Sequence, residues 1–271
     1  MARTNMRSTR VAPEVSELLT ARVVRRERIS PNLARVTLGG GELDRFRPLG
    51  FDQWFRLFLP VPGGSLEGLP DKLTALSYAR FMRLPRATRP ALRAYTVRAY
   101  RAVGSEGPEI DVDVVLHEGG AAGPGATWAA SCAPGSPVAL LDEGIGFNPD
   151  PALERVWLVA DESGLPAAAG ILASLPDTAA GRATIEVPSD GDRQELTVPA
   201  GVELEWIVRT DHGARPGAAA LAAASARPLP DAPLYGWTVG EQQLPSGLRR
   251  HWVRAGVPKG HIMFCGYWRA S

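Results

Sequence analysis

The residues best equipped for chemistry in this chain are Arg93, Tyr95, Thr96 and Arg98, gathered in the run Arg93-Ala94-Tyr95-Thr96-Val97-Arg98. In an extended segment successive side chains point to opposite faces, so Arg93, Tyr95 and Val97 would share one face and Thr96 and Arg98 the other. Guanidinium forks hold a diphosphate bidentately, an aromatic ring lies against a flat conjugated system, and a hydroxyl reaches a polar ring edge. That set suits a flavin. A half-exposed strand carrying ordinary surface arginines would use the same residues.

Two further segments carry chemistry. Gly123-Pro124-Gly125-Ala126-Thr127 is a turn of small residues, which lets backbone N–H groups approach a phosphate, and a helix beginning near Thr127 adds its N-terminal partial charge. The alternative is an ordinary connecting loop. His117, just upstream, can donate to a phosphate or a ring edge, or pack locally at a strand end. Asp161-Glu162-Ser163-Gly164-Leu165-Pro166 follows a continuous apolar run, at the end of a strand where open α/β sheets bind ligands. Asp161 or Ser163 would either approach a cofactor or cap the following helix.

These segments need two kinds of scaffold. From Leu18 to Leu141 the chain reads as short strands broken by Gly/Pro turns, with apolar–polar alternation clearest from Ile110 to Leu116, which indicates an antiparallel β-barrel or sandwich. Asp71 to Leu84 reads as one amphipathic helix with Leu73, Leu76, Phe81 and Leu84 inward. Past Asn148-Pro149-Asp150-Pro151 the grammar changes: Val156–Ala160 is a strand buried on both faces, Leu165–Leu175 a helix, and Gly217–Ala226 and Pro245–Ala255 further helices. The expected organisation is a barrel domain over 15–148 and an α/β domain with a mainly parallel sheet over 149–271.

Composition removes other classes. Thirty Lys and Arg against 29 Asp and Glu give a net charge of +1, with no broad basic field for nucleic acid. Cys132 and Cys265 are too few for a cysteine-held iron–sulfur cluster or a disulfide framework, and the four histidines show no metal-ligand spacing, so no protein-held metal is expected. No apolar run reaches the length of a membrane span, so a cytoplasmic monomer without membrane insertion is the simplest expectation.

A barrel with an Arg-x-Tyr-Thr-x-Arg strand ahead of an α/β half resembles the ferredoxin-reductase superfamily. Within it, four segments in order resemble the siderophore-interacting proteins, FAD-dependent ferric-siderophore reductases. They are RPALRAYTVR, His117 with GPGATWA, ADESGLPAAAGIL, and GEQQ…LRRHWV…GYWR, together spanning about Thr20 to Arg269.

The resemblance implies FAD held by Arg93, Tyr95, Thr96, Val97, Arg98 and His117, with Gly123, Gly125, Ala126 and Thr127 around its diphosphate. It further implies Asp161, Ser163 and Trp268 near the flavin or nicotinamide, and a ferric siderophore as substrate, met by Arg56, Arg249 and Arg269. NADH or NADPH, or a ferredoxin, would supply electrons. The chain departs from the family pattern at Gly125-Ala126, Ser163-Gly164 and Gln242-Gln243, which bears on cofactor use. A different flavin reductase of the superfamily and a non-catalytic siderophore-binding module stand as alternatives.

Overall fold

The computed structural model describes residues 4–270 except 15, 62–63, 71, 73, 117–122, 154 and 212. In chain order the elements are a short helix α1 (Met6–Thr9), strands β1 (Leu18–Ser30), β2 (Leu33–Gly39) and β3 (Trp54–Leu59), helix α2 (Ala75–Arg83), and strands β4 (Ala91–Thr96), β5 (Ala99–Gly104) and β6 (Gly107–Val115). Helix α3 (Pro124–Ser131) and β7 (Pro137–Gly144) follow. The rest comprises β8 (Arg155–Ala160), α4 (Leu165–Ser174), β9 (Ala180–Val187), β10 (Gly201–Val208), α5 (Ala218–Ala226), β11 (Leu234–Glu241), α6 (Gln243–Arg254) and β12 (Ile262–Trp268).

The first seven strands form one antiparallel sheet in the order β4-β3-β7-β1-β2-β6-β5. Its two edge strands, β4 and β5, are consecutive in sequence, so Val97 and Arg98 alone carry the chain from one edge to the other. The sheet is therefore rolled, and those two residues are its seam. Val97 N donates to Gln53 O at 2.8 Å beside β3, and Arg98 N donates to Asp111 O at 2.9 Å on β6. Alternation fills the interior: Leu19, Ala21 and Val23 of β1, Val36 and Leu38 of β2, and Ile110, Val112 and Val114 of β6 all enter one buried cluster. Arg93–Arg98 is thus not a single strand, because β4 stops at Thr96 and Val97 turns into that core.

Helix α2 is shorter than the pattern suggests. Thr74 Oγ1 accepts from Ser77 N at 3.1 Å and Ser77 Oγ accepts from Thr74 N at 2.8 Å, a reciprocal cap that sets the helix start. Of the expected inward residues that are described, Phe81 is buried, meeting Phe58 edge-on at 5.4 Å, whereas Leu76 and Leu84 are exposed. Positions 76 and 81 lie five residues apart, about 140° around the helix, and cannot share a narrow face. Asp71 and Leu73 lie outside the described residues.

The second sheet is parallel, in the order β10-β9-β8-β11-β12, with the strand order reversing between β8 and β11. Chain segments do not divide at one point. One compact unit holds residues 12–49 and 53–145, and the other holds 146–271 with residues 1–11 and 50–52. Backbone and side-chain bonds explain the strays within the second unit. Asn5 Nδ2 donates to Ile262 O at 2.7 Å and Phe264 N donates to Asn5 Oδ1 at 2.9 Å, while Phe51 stacks on Phe147 at 5.5 Å. Among the described residues no helix is long and apolar enough to cross a membrane.

Asp52 anchors this second unit from inside. Its buried carboxylate accepts from Gly146 N at 2.9 Å, Phe147 N at 2.8 Å and Trp237 Nε1 at 3.2 Å. Replacing it with Ala strands three buried donors, so Asp52→Ala should lower unfolding stability by about 3 kcal/mol. Denaturant titration checks this; a loss below about 0.5 kcal/mol would contradict the anchoring role.

Candidate functional site

Strand β4 and the opening turn of α3 come together. Tyr95 stands opposite Phe55, and Arg93 opposite Leu57, on the paired β3. A Cβ built on Gly125 would lie 2.0 Å from the Tyr95 hydroxyl and 3.8 Å from Arg93 Cγ, so the phenol tip rests where any larger residue would carry its side chain. Only glycine fits. A Cβ on Gly123 would instead meet nothing within 4 Å.

The α3 start carries no side-chain cap and no acidic residue in its first turn, and Pro124 occupies its entry. Its amides therefore present positive partial charge, with no acidic side chain in that first turn. Ala126 is buried, and Thr127 N, already inside the helix, donates to Gly123 O at 3.0 Å. Trp128 packs on the barrel core with a buried indole N–H that no described residue accepts. Burial pushes the Tyr95 phenol up to about 12, against the lowering charge of Arg93, so it stays a neutral donor. Arg93 is exposed, with Nη1 on Leu92 O at 2.8 Å. An exposed arginine, a phenol and an uncapped helix start are a donor set that fits a flavin diphosphate.

Two members of the expected set have structural partners. Val97 is core and seam. Arg98 is largely buried and reaches Asp113 Oδ2 at 3.4 Å, and Asp113 is also gripped by Arg35 through Nε at 2.7 Å and Nη2 at 2.8 Å. Burial draws the Arg98 guanidinium below its ordinary value, against the charge of Asp113. Thr96 is buried beside this seam, and His117 lies outside the described residues. Arg56, expected at a substrate mouth, donates from Nε to Glu143 at 2.6 Å and lies 6.0 Å over Trp54.

The other expected residues belong to the parallel-sheet unit. Asp161, at the end of β8, is fully buried and accepts from Ser163 N at 2.9 Å, Ser163 Oγ at 2.6 Å and Glu241 N at 2.6 Å. It closes its own turn and ties β8 to β11. It does not cap α4, whose cap is Gly164. Gly240 has φ +131° and a Cβ there would strike the Asp161 carboxylate at 2.6 Å. Around this junction lie Glu162, Glu186, Glu241, Arg209 and Arg215: Arg209 reaches Glu162 at 2.6 Å and Glu186 at 2.7 Å, and Arg215 reaches Glu241 at 3.0 Å. Glu186 also accepts from Gly217 N and Ala220 N, both at 2.9 Å, capping α5. Nothing local in the sequence marks Arg209 or Glu186 for this; pairing β9 with β10 brings them together.

Arg249 packs 4.8 Å over the Phe264 ring, Arg269 is exposed, and Trp268 ends β12, its carbonyl accepting from Gln242 N at 2.9 Å. Burial raises the thiols of both Cys132 and Cys265. Among the described residues no group of three or more His, Cys, Asp or Glu is arranged to hold a metal.

Two measurements follow from this geometry. Gly125→Ala should lower the melting temperature of the FAD-free protein by several degrees, and the same change in a Tyr95→Phe background should cost far less, since the ring carbon stands 3.3 Å away. Equal costs in both backgrounds would refute the contact. Burial, and next the charge of Asp161, hold Glu162 up at about 7, so its stabilising contribution is present below the ordinary 4.5 and is lost as pH rises through about 7. Glu162 should contribute a fall in unfolding stability across that window with a slope approaching ~1.4 kcal/mol per pH unit, and Glu162→Gln should make the measured profile shallower by that share.

Residues 22–145 match the family described as Siderophore-interacting FAD-binding domain, and residues 153–271 the one described as Siderophore-interacting protein. An uncharacterized Mycobacterium tuberculosis protein is 41% identical over 189 residues, 69% of this chain, and the chain spans 64% of that relative's length. The ferric vibriobactin reductase ViuB of Vibrio cholerae is 32% identical over 71% of this chain and 67% of its own length. The NADPH-dependent ferric-chelate reductase of Escherichia coli is 27% identical over 92% of both. Among solved structures, a siderophore utilization protein from T. fusca superposes with a TM-score of 0.78 at 30% identity, covering 97% of each chain.

Proposed function

Because the chain belongs to the siderophore-interacting family, with an FAD-binding domain, we propose that it is an FAD-dependent reductase of ferric siderophores, drawing electrons from NADPH or NADH. The observation that carries this reading is the meeting of Arg93, Tyr95 and Gly125 at the uncapped start of α3. The names of the V. cholerae and E. coli relatives support iron(III) chelates as substrates, and the latter supports NADPH as donor.

In this reading Arg93, the amides of Gly123, Gly125 and Ala126 and the side chain of Thr127 hold the diphosphate, and Tyr95 orients the cofactor through its ring and neutral hydroxyl. Thr96 serves the polar ring edge and His117 an adjoining oxygen. Val97 and Arg98 act by fixing the seam behind Tyr95 and Thr96. A bound flavin supplies the ability to take up a hydride and return electrons singly. Iron(III) is gripped by hard oxygen ligands, and reduction to iron(II) weakens that grip, so release follows reduction without a protein acid or base.

On the donor side, Asp161 and Ser163 shape the turn after β8 at the point where the strand order reverses, the usual crevice for a nucleotide in such sheets. Trp268, ending β12, is the aromatic assigned to that side. Arg56, steadied by Glu143, faces the anionic chelate, with Arg249 and Arg269 as further cations. The working form is taken as a cytoplasmic monomer.

Reconstitution with FAD should yield a yellow protein that bleaches anaerobically with NADPH or NADH and, on adding a ferric siderophore, forms iron(II) in a ferrous trap. Failure to take up FAD, or bleaching with no iron(II), would overturn the reading. Arg56→Ala should raise the KM for an anionic ferric chelate roughly tenfold, about 1.4 kcal/mol of lost attraction, with FAD affinity unchanged. An unmoved KM would remove Arg56 from the substrate contact.

A further inference from the structure

Helix α2 holds to its sheet by one large side chain, Phe81, and turns the rest outward. Leu76 is 63% exposed, Tyr78 41%, Met82 44% and Leu84 42%, so four of the six exposed large hydrophobic residues described fall within nine consecutive positions. At about 100° per residue, Tyr78, Met82 and Ala79 form a continuous apolar strip, and Arg83, Leu76 and Arg80 follow around the same outer side. The helix is fastened in this pose: Arg89 donates to Met82 O at 2.6 Å and its guanidinium lies 6.0 Å over Phe81.

Charge singles out the same region. From Lys72 to Ser105 the sequence holds eight of the chain's 30 Lys and Arg and none of its 29 Asp and Glu. Arg80, Arg83 and Arg86 are exposed, and among the described residues none forms an ion pair. Within that stretch Lys72, Arg98 and Arg101 pair with Glu17, Asp113 and Glu109, so the cationic ridge consists of Arg80 and Arg83 on α2 and Arg86 just after it.

We propose that α2 is a docking element that seats this protein on an anionic lipid surface, lying in the headgroup layer without crossing it. An interfacial helix of this kind buries Leu, Met and Tyr side chains at the acyl boundary and lets arginines extend to the phosphates, each basic residue adding attraction to an anionic leaflet. The shape favours lipid over a folded partner. A convex ridge of separate apolar tips with cations of a single sign suits a fluid, uniformly anionic layer; a protein partner would be matched by a shaped recess and by acceptors paired one to one.

Full-length protein would be sedimented at low salt with vesicles of phosphatidylcholine alone and of phosphatidylcholine with phosphatidylglycerol at 3:1. Binding should require the anionic lipid and weaken with added salt. Both Arg80→Gln/Arg83→Gln/Arg86→Gln and Leu76→Ser/Met82→Ser should reduce the partition coefficient at least tenfold, while FAD uptake and solution turnover of a soluble ferric chelate stay as in the parent. The variants alter exposed side chains only, so folding is preserved, and loss of vesicle binding is separable from loss of the reductase site. No sedimentation with anionic vesicles, or equal sedimentation of parent and variants, overturns the proposal. Retention on an immobilised acidic ferredoxin, with vesicles left untouched, overturns it in favour of a protein partner.

Discussion

Closure of the first sheet at Val97 and Arg98 is the constraint on which the rest of that unit depends. A seven-stranded antiparallel sheet has two edges with unmet backbone groups, and here both edges are joined by two residues. Val97 fills the core while its amide bonds beside β3; Arg98 bonds β6 through its amide and meets Asp113 through its side chain. Because the seam is so short, the ends of β4 and β5 have little freedom. Tyr95 and Thr96 immediately precede it, so their positions are fixed by barrel closure. That is a sound way to hold a binding group, since a rigid sheet edge positions a side chain better than a loop does.

The parallel unit shows a different economy of charge. Four carboxylates and Arg209 are buried around the ends of β8, β9 and β11, with Arg215 half-buried beside them, and each acid also serves the backbone or an arginine. The pairing offsets the desolvation that would otherwise expel such groups. Burial first, with the neighbouring carboxylates adding to it, raises Asp161 and Glu162, and the surplus of acid makes this end of the sheet a poor cradle for a naked diphosphate. The start of α3, free of acidic residues in its first turn, and the carboxylate-lined end of β8 are thus chemically unlike.

Elements governed by short-range pattern were legible in the sequence. The alternation of Ile110 to Leu116 marked a strand, although its polar residues Asp111 and Asp113 are buried as well, held by Arg101 and Arg35; the run Val156 to Ala160 marked a strand covered on both faces, and Leu165 to Leu175 a helix. Order along the chain then indicated a β unit before an α/β unit. What escaped was set by contacts between distant residues. Arg98 looked like a free cation because Asp113 is fifteen positions away on another strand, and Asp161 looked like a cap because its second acceptor role depends on Glu241. The Gly125 departure gained a meaning only when Tyr95 was found against it. Helix α2 was read too generously, since counting apolar residues did not weigh their angles around the axis.

The small bridge between residues 4–5 and β12 bears on how this chain matures. Thr4 pairs with Cys265, and Asn5 exchanges bonds with Ile262 and Phe264, covering an outer strand whose hydrogen-bonding groups would otherwise invite foreign strands. Asn5 precedes these partners by 257 and 259 positions, so residues 4–5 stay unengaged until β12 has been made. The outer strand, by contrast, finds its cover already waiting when it emerges, which shortens the time its free edge is open to foreign strands.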